Sequence, residues 1–255
     1  MTIQFMYDNF VENSTFFYNS SAKTGFPSSN LKHPFRTKKW VTSATTGRVV
    51  FGRSTKYDAN CVVISDYDWT SQPSTLKIQM HTSTDFSGGG TTAVNLASLW
   101  TRNPSTLGNN AVIIKTFTTE KYRYFRLICG HGSSFGIGKV FIGTKFQPTD
   151  NYLAEGIETE YIDPSKIDTS IDGQEHVDEL TRYREKDISF FVNTLAQWNK
   201  FQEFINTAGI RKDLYIRFST DSQDDTWYCK IARSPKATRE PPSFYKLKLQ
   251  FKESR

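Results

Sequence analysis

Short runs of β-branched and aromatic residues, separated by turn residues, constrain the fold of this chain more than any other feature. Residues 60–65 form a continuous apolar run, and residues 76–81 alternate apolar and polar side chains with the period of a half-buried strand. Pro73, Pro104 and the glycines at 88–90 break such runs. Further strands are predicted at residues 48–51, 111–114, 124–129 and 139–143. This pattern predicts a β-sandwich or a β-barrel.

The second half of the chain combines strands with one predicted helix. Asn193 or Thr194 can cap the start of this helix, and Gly209 can end it. Between them, at about 194–208, apolar side chains recur at helical spacing: Leu195, Trp198, Phe201, Phe204 and Ile205. Strands are predicted at residues 188–192, 214–218, 227–231 and 245–251. We therefore expect a small antiparallel β-sandwich with one packed α-helix.

The length of 255 residues permits one large all-β domain or two ordinary domains. Residues 148–173 contain few large apolar side chains and several acids, which favours a boundary there. We predict an N-terminal β-sandwich at residues 1–150, a linker or connecting strand at 151–173, and a C-terminal sandwich with the helix at 174–255. The fold class is mainly β, and the aromatic fraction of 15% agrees with it.

The charge differs between the two halves. Residues 1–150 contain 16 Lys and Arg against 8 Asp and Glu, a net charge of +8, whereas residues 151–255 have a net charge of −2. A basic surface favours nucleic acid or another acidic partner, or it is simply a solvated face. The basic and aromatic run at residues 32–40 has the composition of a nucleic-acid patch, but Trp40 can instead fill the sandwich. We favour the solvated face, so nucleic acid is not an expected partner.

The sequence also indicates the cellular compartment in which the protein folds. It contains no run of 18 apolar residues, so membrane insertion is not expected. Residues 1–5 lack the charged and apolar segments of a signal peptide. The three cysteines, Cys61, Cys129 and Cys229, do not form a disulfide framework, which favours a reducing compartment.

Catalytic and metal-binding patterns are not recognisable in the sequence. The acid pairs Asp66/Asp68 and Asp224/Asp225 are predicted to form turns rather than a hydrolytic pair. The glycines at 88–90 and 130–138 do not lead into the helix of a nucleotide-binding loop. No histidine stands at zinc-ligand spacing with a cysteine or another histidine: His33, His81, His131 and His176. We therefore predict no enzyme activity, no cofactor and no metal site.

Several motifs follow one another in the first half, and together they cover most of residues 3–147. They are Asn30-Leu31, Trp40-Val41-Thr42, Val62-Val63-Ile64-Ser65, residues 76–86, residues 122–127 and residues 137–143. Their order and spacing resemble the discoidin-like (galactose-binding-like) β-sandwich domains found in tail proteins of bacteriophages and gene transfer agents. In other settings that fold binds glycans or lipids through loops at one end of the sandwich. Those loops are variable, so the resemblance implies no particular ligand residue here.

The second half shows a strand, a helix, a hairpin and a final strand in succession. Their ranges are residues 184–192, 195–208, 213–234 and 244–253. This order resembles the tail-hub sandwich of phage distal tail and minor tail proteins. Residues 170–174 stand where such proteins carry a short glycine turn.

Together the two resemblances imply a structural virion protein that is assembled in the host cytoplasm. It would form a hexameric or trimeric ring at the distal tail or baseplate hub, connecting the tail tube to the tail tip. The implied partners are further copies of the chain, the tail tube protein and other tail-tip or hub proteins. In such a ring we expect the helix face with Trp198, Phe201 and Phe204 to contact the next subunit.

The alternative function is a carbohydrate-binding module that recognises a host surface glycan at the tail tip. Aromatic side chains on loops can stack on sugar rings, and the candidate glycan contacts are Tyr67, Trp69 and Trp100. The same three side chains can instead fill the ends of the sandwich. The sequence leaves the stoichiometry of a ring and the identity of any sugar open.

Overall fold

The computed structural model describes residues 3–35, 37–86, 92–100, 112–148, 153–169, 172, 174–219, 225–240 and 244–254. The first half of this part of the chain is built from short and long strands. In chain order they are β1 (Gln4–Met6), β2 (Thr15–Asn19), β3 (Trp40–Val41), β4 (Thr46–Ser65), β5 (Thr75–His81), β6 (Thr92–Asn95), β7 (Val112–Gly130), β8 (Gly136–Ile137), β9 (Lys139–Gly143) and β10 (Lys145–Phe146). Two short 3-10 helices are Ser28–Lys32 and Ala97–Leu99.

The second half adds further strands and an α-helix. They are β11 (Leu153–Ile162), β12 (Lys166–Thr169), β13 (Glu175–Asp178), β14 (Tyr183–Val192), α1 (Leu195–Ala208), β15 (Leu214–Arg217), β16 (Thr226–Ile231), β17 (Lys236–Glu240) and β18 (Phe244–Glu253). The predicted fold class is confirmed: the protein is mainly β, with β-sandwich sheets and one packed α-helix in the described residues. Over the same residues, no helix combines the length and the apolar character that crossing a membrane requires.

The N-terminal sandwich is built on a long antiparallel ladder between β4 and β7. Its main sheet has the order β2-β4-β7-β5-β6, with β9 paired to the second half of β4, while β3 and β8 form a separate pair. The sequence predicts two strands at 48–51 and 60–65, but both belong to β4. The polar residues between them stay in the strand, and the ladder shifts its register after Gly52 and again after Ala59. Such register shifts bend a long strand, so the apolar pattern of the sequence is interrupted although the strand itself continues.

The core of the N-terminal sandwich follows the alternation seen in the sequence. Leu76, Ile78 and Met80 on β5 are fully buried, while the intervening Lys77 and Gln79 are half-buried on the other face. The side chains that point inward from β4 and β7 complete this core, since each side of an antiparallel sheet receives every second residue.

The C-terminal sheet takes strands from the first half of the chain as well. Its order is β10-β1-β15-β16-β18-β14-β11, with β17 paired to β18. Phe5 on β1 lies opposite Phe146 on β10 and opposite Ile216 on β15. The division at residues 151–173 stays a prediction for the folding units, but the hydrogen bonding of this sheet extends across it. β11 lies within the segment for which the sequence left a linker or a strand open, and it pairs with β14.

Helix α1 lies where its apolar spacing predicts it. The Thr194 hydroxyl accepts a hydrogen bond from the Gln197 N–H at 3.3 Å, and Gly209 follows the helix with a φ of 54°, which favours glycine. Phe201 and Phe204 are buried against the C-terminal sheet. Leu195 belongs to the predicted apolar stripe but is 67% exposed, because it is the first residue of the helix.

The N-terminal sandwich and the outer face of the C-terminal sheet share a buried apolar contact. The Phe141 and Tyr215 rings meet edge to face, with 6.1 Å between centroids, and the Tyr215 hydroxyl lies 2.6 Å from the Ser65 hydroxyl. Cys61 is a buried, unpaired thiol in this contact, and burial raises its pKa to about 12. The full set is Met6, Cys61, Val63, Val112, Ile114, Phe141, Tyr215 and Tyr228.

We expect the Phe141→Ala substitution to lower the free energy of unfolding by about 3–5 kcal/mol, because it leaves a cavity in this contact. Urea denaturation measures the change. The matched control is Phe35→Ala, since Phe35 is 57% exposed and its loss is expected to cost less than about 0.5 kcal/mol. Equal losses for the two variants would contradict a stabilising contact at Phe141.

Candidate functional site

An open cleft lies between the first turns of α1 and the segment that connects the N-terminal sandwich to β10. We call it the helix cleft. Its volume is about 700 Å³, within the usual range for small-molecule sites. The side chains that line it are Tyr7, Asn60, Thr144, Lys145, Phe146, Gln147, Thr194, Ala196, Gln197, Lys200 and Glu203.

One wall of the helix cleft is a face of α1. Ala196, Lys200 and Glu203 follow one another at spacings of four and three residues, so they lie on the same side of the helix. Gln197 lies between this side and the side that packs into the core, and it is buried. Because the Thr194 cap holds the first turn, these side chains start from a fixed backbone.

The opposite wall comes from the segment around β10. The Asn60 side-chain oxygen accepts a hydrogen bond from the Lys145 N–H at 2.9 Å, which joins β4 to this wall. The Gln4 amide nitrogen donates to the Gln147 side-chain oxygen at 2.9 Å. The Gln4 side-chain oxygen is buried and has no hydrogen-bond partner among the described residues. These bonds orient the amides that face the cleft.

Aromatic rings lie behind the polar walls. Tyr7 packs against Phe204 of the helix, with ring centroids 5.0 Å apart at 67°, and Phe146 packs against Phe201 at 5.0 Å. Burial raises the pKa of the Tyr7 hydroxyl to about 12, and the nearby Glu203 and Asp8 carboxylates contribute. At neutral pH Tyr7 therefore keeps its proton and can donate a hydrogen bond.

The helix cleft offers hydrogen-bond donors and acceptors side by side. The Lys145 and Lys200 ammonium groups donate, the Glu203 carboxylate accepts, and the amides of Asn60 and Gln147 do both. The described lining residues include no histidine or cysteine. Such a set suits a ligand with many hydroxyl groups, because each hydroxyl is both a donor and an acceptor.

A second, smaller cleft of about 270 Å³ lies beside the exposed Phe35. In its wall Arg184 donates two hydrogen bonds of 3.0 Å to the Glu253 carboxylate, whose side chain is only 1% exposed. The Lys252 ammonium lies 3.8 Å from the centroid of the Tyr183 ring. This volume is just below the usual range for ligand sites, so the helix cleft is the better candidate.

The predicted glycan contacts lie in the N-terminal sandwich, away from the helix cleft. Tyr67 and Trp69 are each 2% exposed, and their rings stack on one another at 4.6 Å and 22°. Trp69 also meets Phe135 edge to face at 5.8 Å. Trp100 is half-buried and packs against the same core. Tyr67 and Trp69 therefore fill the sandwich, the alternative that the sequence left open, whereas Trp100 lies half-buried at its margin.

The predicted subunit-contact face of the helix is covered by the protein's own C-terminal sheet. Phe201 and Phe204 are buried in its core. Trp198 is half-buried and stacks on Tyr245 of β18, with centroids 4.4 Å apart and planes at 7°. These rings are therefore used within one chain. The polar face of the same helix lines the cleft, and its spacing at 196, 200 and 203 is the sequence signal that could have indicated it.

The remaining sequence candidates are accounted for by turns and by packing. Asp66 has a φ of 59° and stands at the bend after β4. The Asp68 carboxylate instead accepts a hydrogen bond from the Gly136 N–H at 2.6 Å, so it joins this loop to β8. Asp224 lies outside the described residues, and Asp225 contacts the Lys186 ammonium at 3.3 Å. Trp40 is fully buried in the core of the sandwich.

His131 lies between two serine hydroxyls at the end of the N-terminal sandwich. The His131 ring lies 3.0 Å from the Ser71 hydroxyl through one nitrogen and 3.1 Å from the Ser133 hydroxyl through the other. A hydroxyl cannot stabilise an imidazolium as a carboxylate does, so this is not a nucleophilic triad. The described residues contain no group of three side chains suited to a metal ion. The absence of enzyme activity stays a prediction.

No family model and no curated protein matches this chain. Solved structures similar to it include a chitosan-binding module of a chitosanase/glucanase from Paenibacillus sp. IK-5, with 19% identity over 54% of this chain and 99% of the module, and a TM-score of 0.40. A fucose-binding module of Streptococcus pneumoniae has 12% identity over 54% of this chain and 95% of the module, with a TM-score of 0.40. Both are sandwich modules of the discoidin-like type predicted for the first half. At these identities and TM-scores the likeness says nothing about the ligand of this chain.

We expect Glu253→Gln to lower the free energy of unfolding by about 3–5 kcal/mol, because it removes the buried carboxylate that pairs with the largely buried Arg184 guanidinium. The matched control is Asp163→Asn, which breaks the exposed pair between Arg182 and Asp163 and is expected to cost at most about 1 kcal/mol. Chemical denaturation of the two variants measures both changes. Similar costs would contradict a stabilising role for the buried pair.

Proposed function

We propose that this protein is a carbohydrate-binding module whose ligand occupies the helix cleft. The observation that carries the proposal is the mixture of amide, hydroxyl, ammonium and carboxylate groups on the two facing walls. A sugar presents hydroxyl groups of both hydrogen-bonding characters around its ring, and protein sites with several oriented polar groups recognise such a pattern. A ligand with fewer hydroxyls would leave part of this polar lining unpaired.

The shape of the helix cleft also supports the proposal. Its volume of about 700 Å³ exceeds that of the second cleft by more than a factor of two, which leaves room for a ligand that extends along the helix. The Tyr7 ring provides an apolar surface against which the C–H face of a sugar can pack, and its protonated hydroxyl remains a donor. The charged lining residues are Lys145, Lys200 and Glu203, so the site carries a net charge of only +1.

A glycan array followed by calorimetric titration tests this proposal. Chitosan oligosaccharides and fucose, the ligands named for the similar modules, are the first probes. We expect Gln147→Ala and Lys200→Ala each to weaken binding about tenfold, the effect of losing one hydrogen bond to a polar or charged group. Lys200 is exposed, so its loss should not affect folding. Gln147→Ala also removes the acceptor of the buried Gln4 amide, so its free energy of unfolding is measured alongside its affinity.

The matched control for glycan binding is Lys56→Ala. Lys56 is exposed on β4 and does not line either cleft. We expect this variant to bind as the unchanged protein does. Absence of binding to every glycan, or equal affinity in the cleft variants and the control, would contradict the proposed function.

A second candidate function is that of a structural subunit of a phage tail, which forms a ring at the distal tail or baseplate hub. The observation that favours it is the segment at residues 153–180, which we call the acidic arm. It contains nine Asp and Glu and one Lys. Three of its large apolar side chains are also exposed: Tyr161 by 78%, Ile167 by 64% and Leu180 by 50%. In the proposed ring the next subunit would cover these apolar side chains, as association covers large apolar patches on other proteins.

Light scattering and electron microscopy of the full chain test this second function. We expect a closed ring of three or six copies, because a heterologous interface between identical subunits closes into a ring or extends into a filament. A protein that stays monomeric at high concentration would contradict it.

A further inference from the structure

The outer edge of the C-terminal sheet carries uncompensated negative charge. β11 pairs with β14, and in the sheet order it is the last strand. Glu158 lies directly opposite Asp187, and Glu160 lies directly opposite Glu185. Like charges in directly opposite positions destabilise a pair of strands. A positively charged partner that binds here would relieve this repulsion between carboxylates.

The inner carboxylates of this cluster have partners within the chain, but the outer ones do not. Asp187 contacts the Lys248 ammonium at 3.3 Å, and Glu185 accepts a hydrogen bond from the Gln250 amide at 3.0 Å. Glu158 and Glu160 are exposed and form no ion pair with a described residue. We call Glu158 and Glu160 the acidic edge.

The main sheet of the N-terminal sandwich carries the opposite charge on its outward side. Ile128 on β7 lies between Arg48 on β4 and Lys77 on β5, directly opposite both. Arg126 lies two residues before Ile128 on β7, so its side chain is on the same side of the sheet. We call Arg48, Lys77 and Arg126 the basic face.

The charges of the basic face are not neutralised by the described part of the chain. The Arg126 guanidinium donates to the Gln79 side-chain oxygen at 2.7 and 3.0 Å, and an amide oxygen carries no formal charge. Burial lowers the pKa of Arg126, and the neighbouring Arg48 lowers it further. None of the three cations forms an ion pair with a described residue.

The spacing of charges on the two surfaces is compatible. Glu158 and Glu160 are two residues apart on one strand, a separation of about 7 Å. Arg126 is diagonal to Arg48 and to Lys77 across one pair of strands, which also separates them by about 7–8 Å. Two carboxylates at the first spacing can therefore face two cations at the second.

We propose that the acidic edge of one copy of this protein docks on the basic face of a second copy. Like charges lie close together on each surface, and their repulsion is unfavourable. The carboxylates of the acidic edge would neutralise the cations of the basic face. The contact joins two different surfaces, so every copy can bind two neighbours, as a ring requires. The inference rests on the self-association proposed as the second function and identifies the interface that would produce it.

Sedimentation velocity of the full chain at low and high salt is the first test. We expect association in about 50 mM salt and dissociation in about 500 mM salt, because exposed charges more than a few ångströms apart are screened at the higher concentration. Charged side chains on an edge strand can also serve only to prevent pairing. A protein that stays monomeric at low salt would support that role and overturn the proposal.

Charge reversal provides the specific test. We expect the basic-face variant Arg48→Glu with Lys77→Glu, and the acidic-edge variant Glu158→Lys with Glu160→Lys, each to weaken association by more than about tenfold. The protein carrying all four substitutions should associate again, because both surfaces have changed sign together. The matched control reverses Lys56 and Arg233, which are exposed outside both surfaces, and should associate normally.

The outcomes separate the interface from the functions proposed above. If the basic-face variant and the acidic-edge variant both still associate, this interface is wrong but self-association stands. Failure of the fourfold variant to associate, while its circular dichroism matches that of the unchanged protein, would also overturn the interface. Glycan binding is measured at the helix cleft, whose lining residues none of these variants change.

Discussion

The burial of Phe5 on the short strand β1 is the contact on which the rest of the structure depends. Its ring lies between 4.8 and 6.3 Å from the rings of five other phenylalanines: Phe146, Phe190, Phe201, Phe204 and Phe251. These rings come from both halves of the chain and from the helix. A segment that precedes the N-terminal sandwich therefore contributes to the core of the C-terminal sheet, and aromatic contacts of this kind stabilise beyond the area that they bury.

Strand β1 also positions the walls of the helix cleft. After β1 the chain passes Tyr7 and Asp8. The single Tyr57 hydroxyl proton is shared between the Asp8 backbone oxygen at 2.6 Å and the Asp8 carboxylate oxygen at 2.9 Å. This anchors the end of β1 to the N-terminal sandwich. β10 returns along the other side of β1, and α1 packs on the same phenylalanines. The helix cleft is the space that these connections leave between their polar sides.

The net charge of +6 conceals a separation that the structure makes specific. The sequence shows a basic first half and an acidic arm, which alone indicates only that complementary surfaces exist. The sheet register brings Arg48, Lys77 and Arg126 onto one side of the sandwich and places Glu158 and Glu160 at an edge. Because the two clusters lie on different sheets, one protein can present both to its neighbours. Complementary charge of this kind sets the register and the rate of association more than the affinity.

The sequence by itself determined the features that depend on nearby residues. The apolar spacing of α1, its Thr194 cap and the alternation along β5 are local patterns, and the structure contains them where they are predicted. The burial of Tyr67 and Trp69 could not be decided in this way, because an aromatic side chain at the end of a strand has the same pattern whether it is stacked in the core or exposed on a loop. Only the tertiary structure decided that residues 4–6 pair with residues 214–217 and that Tyr7, Gln147 and Lys200 line one cleft. Strand pairing depends on the partner's position in space, and no local period in the sequence encodes a partner about 200 residues away.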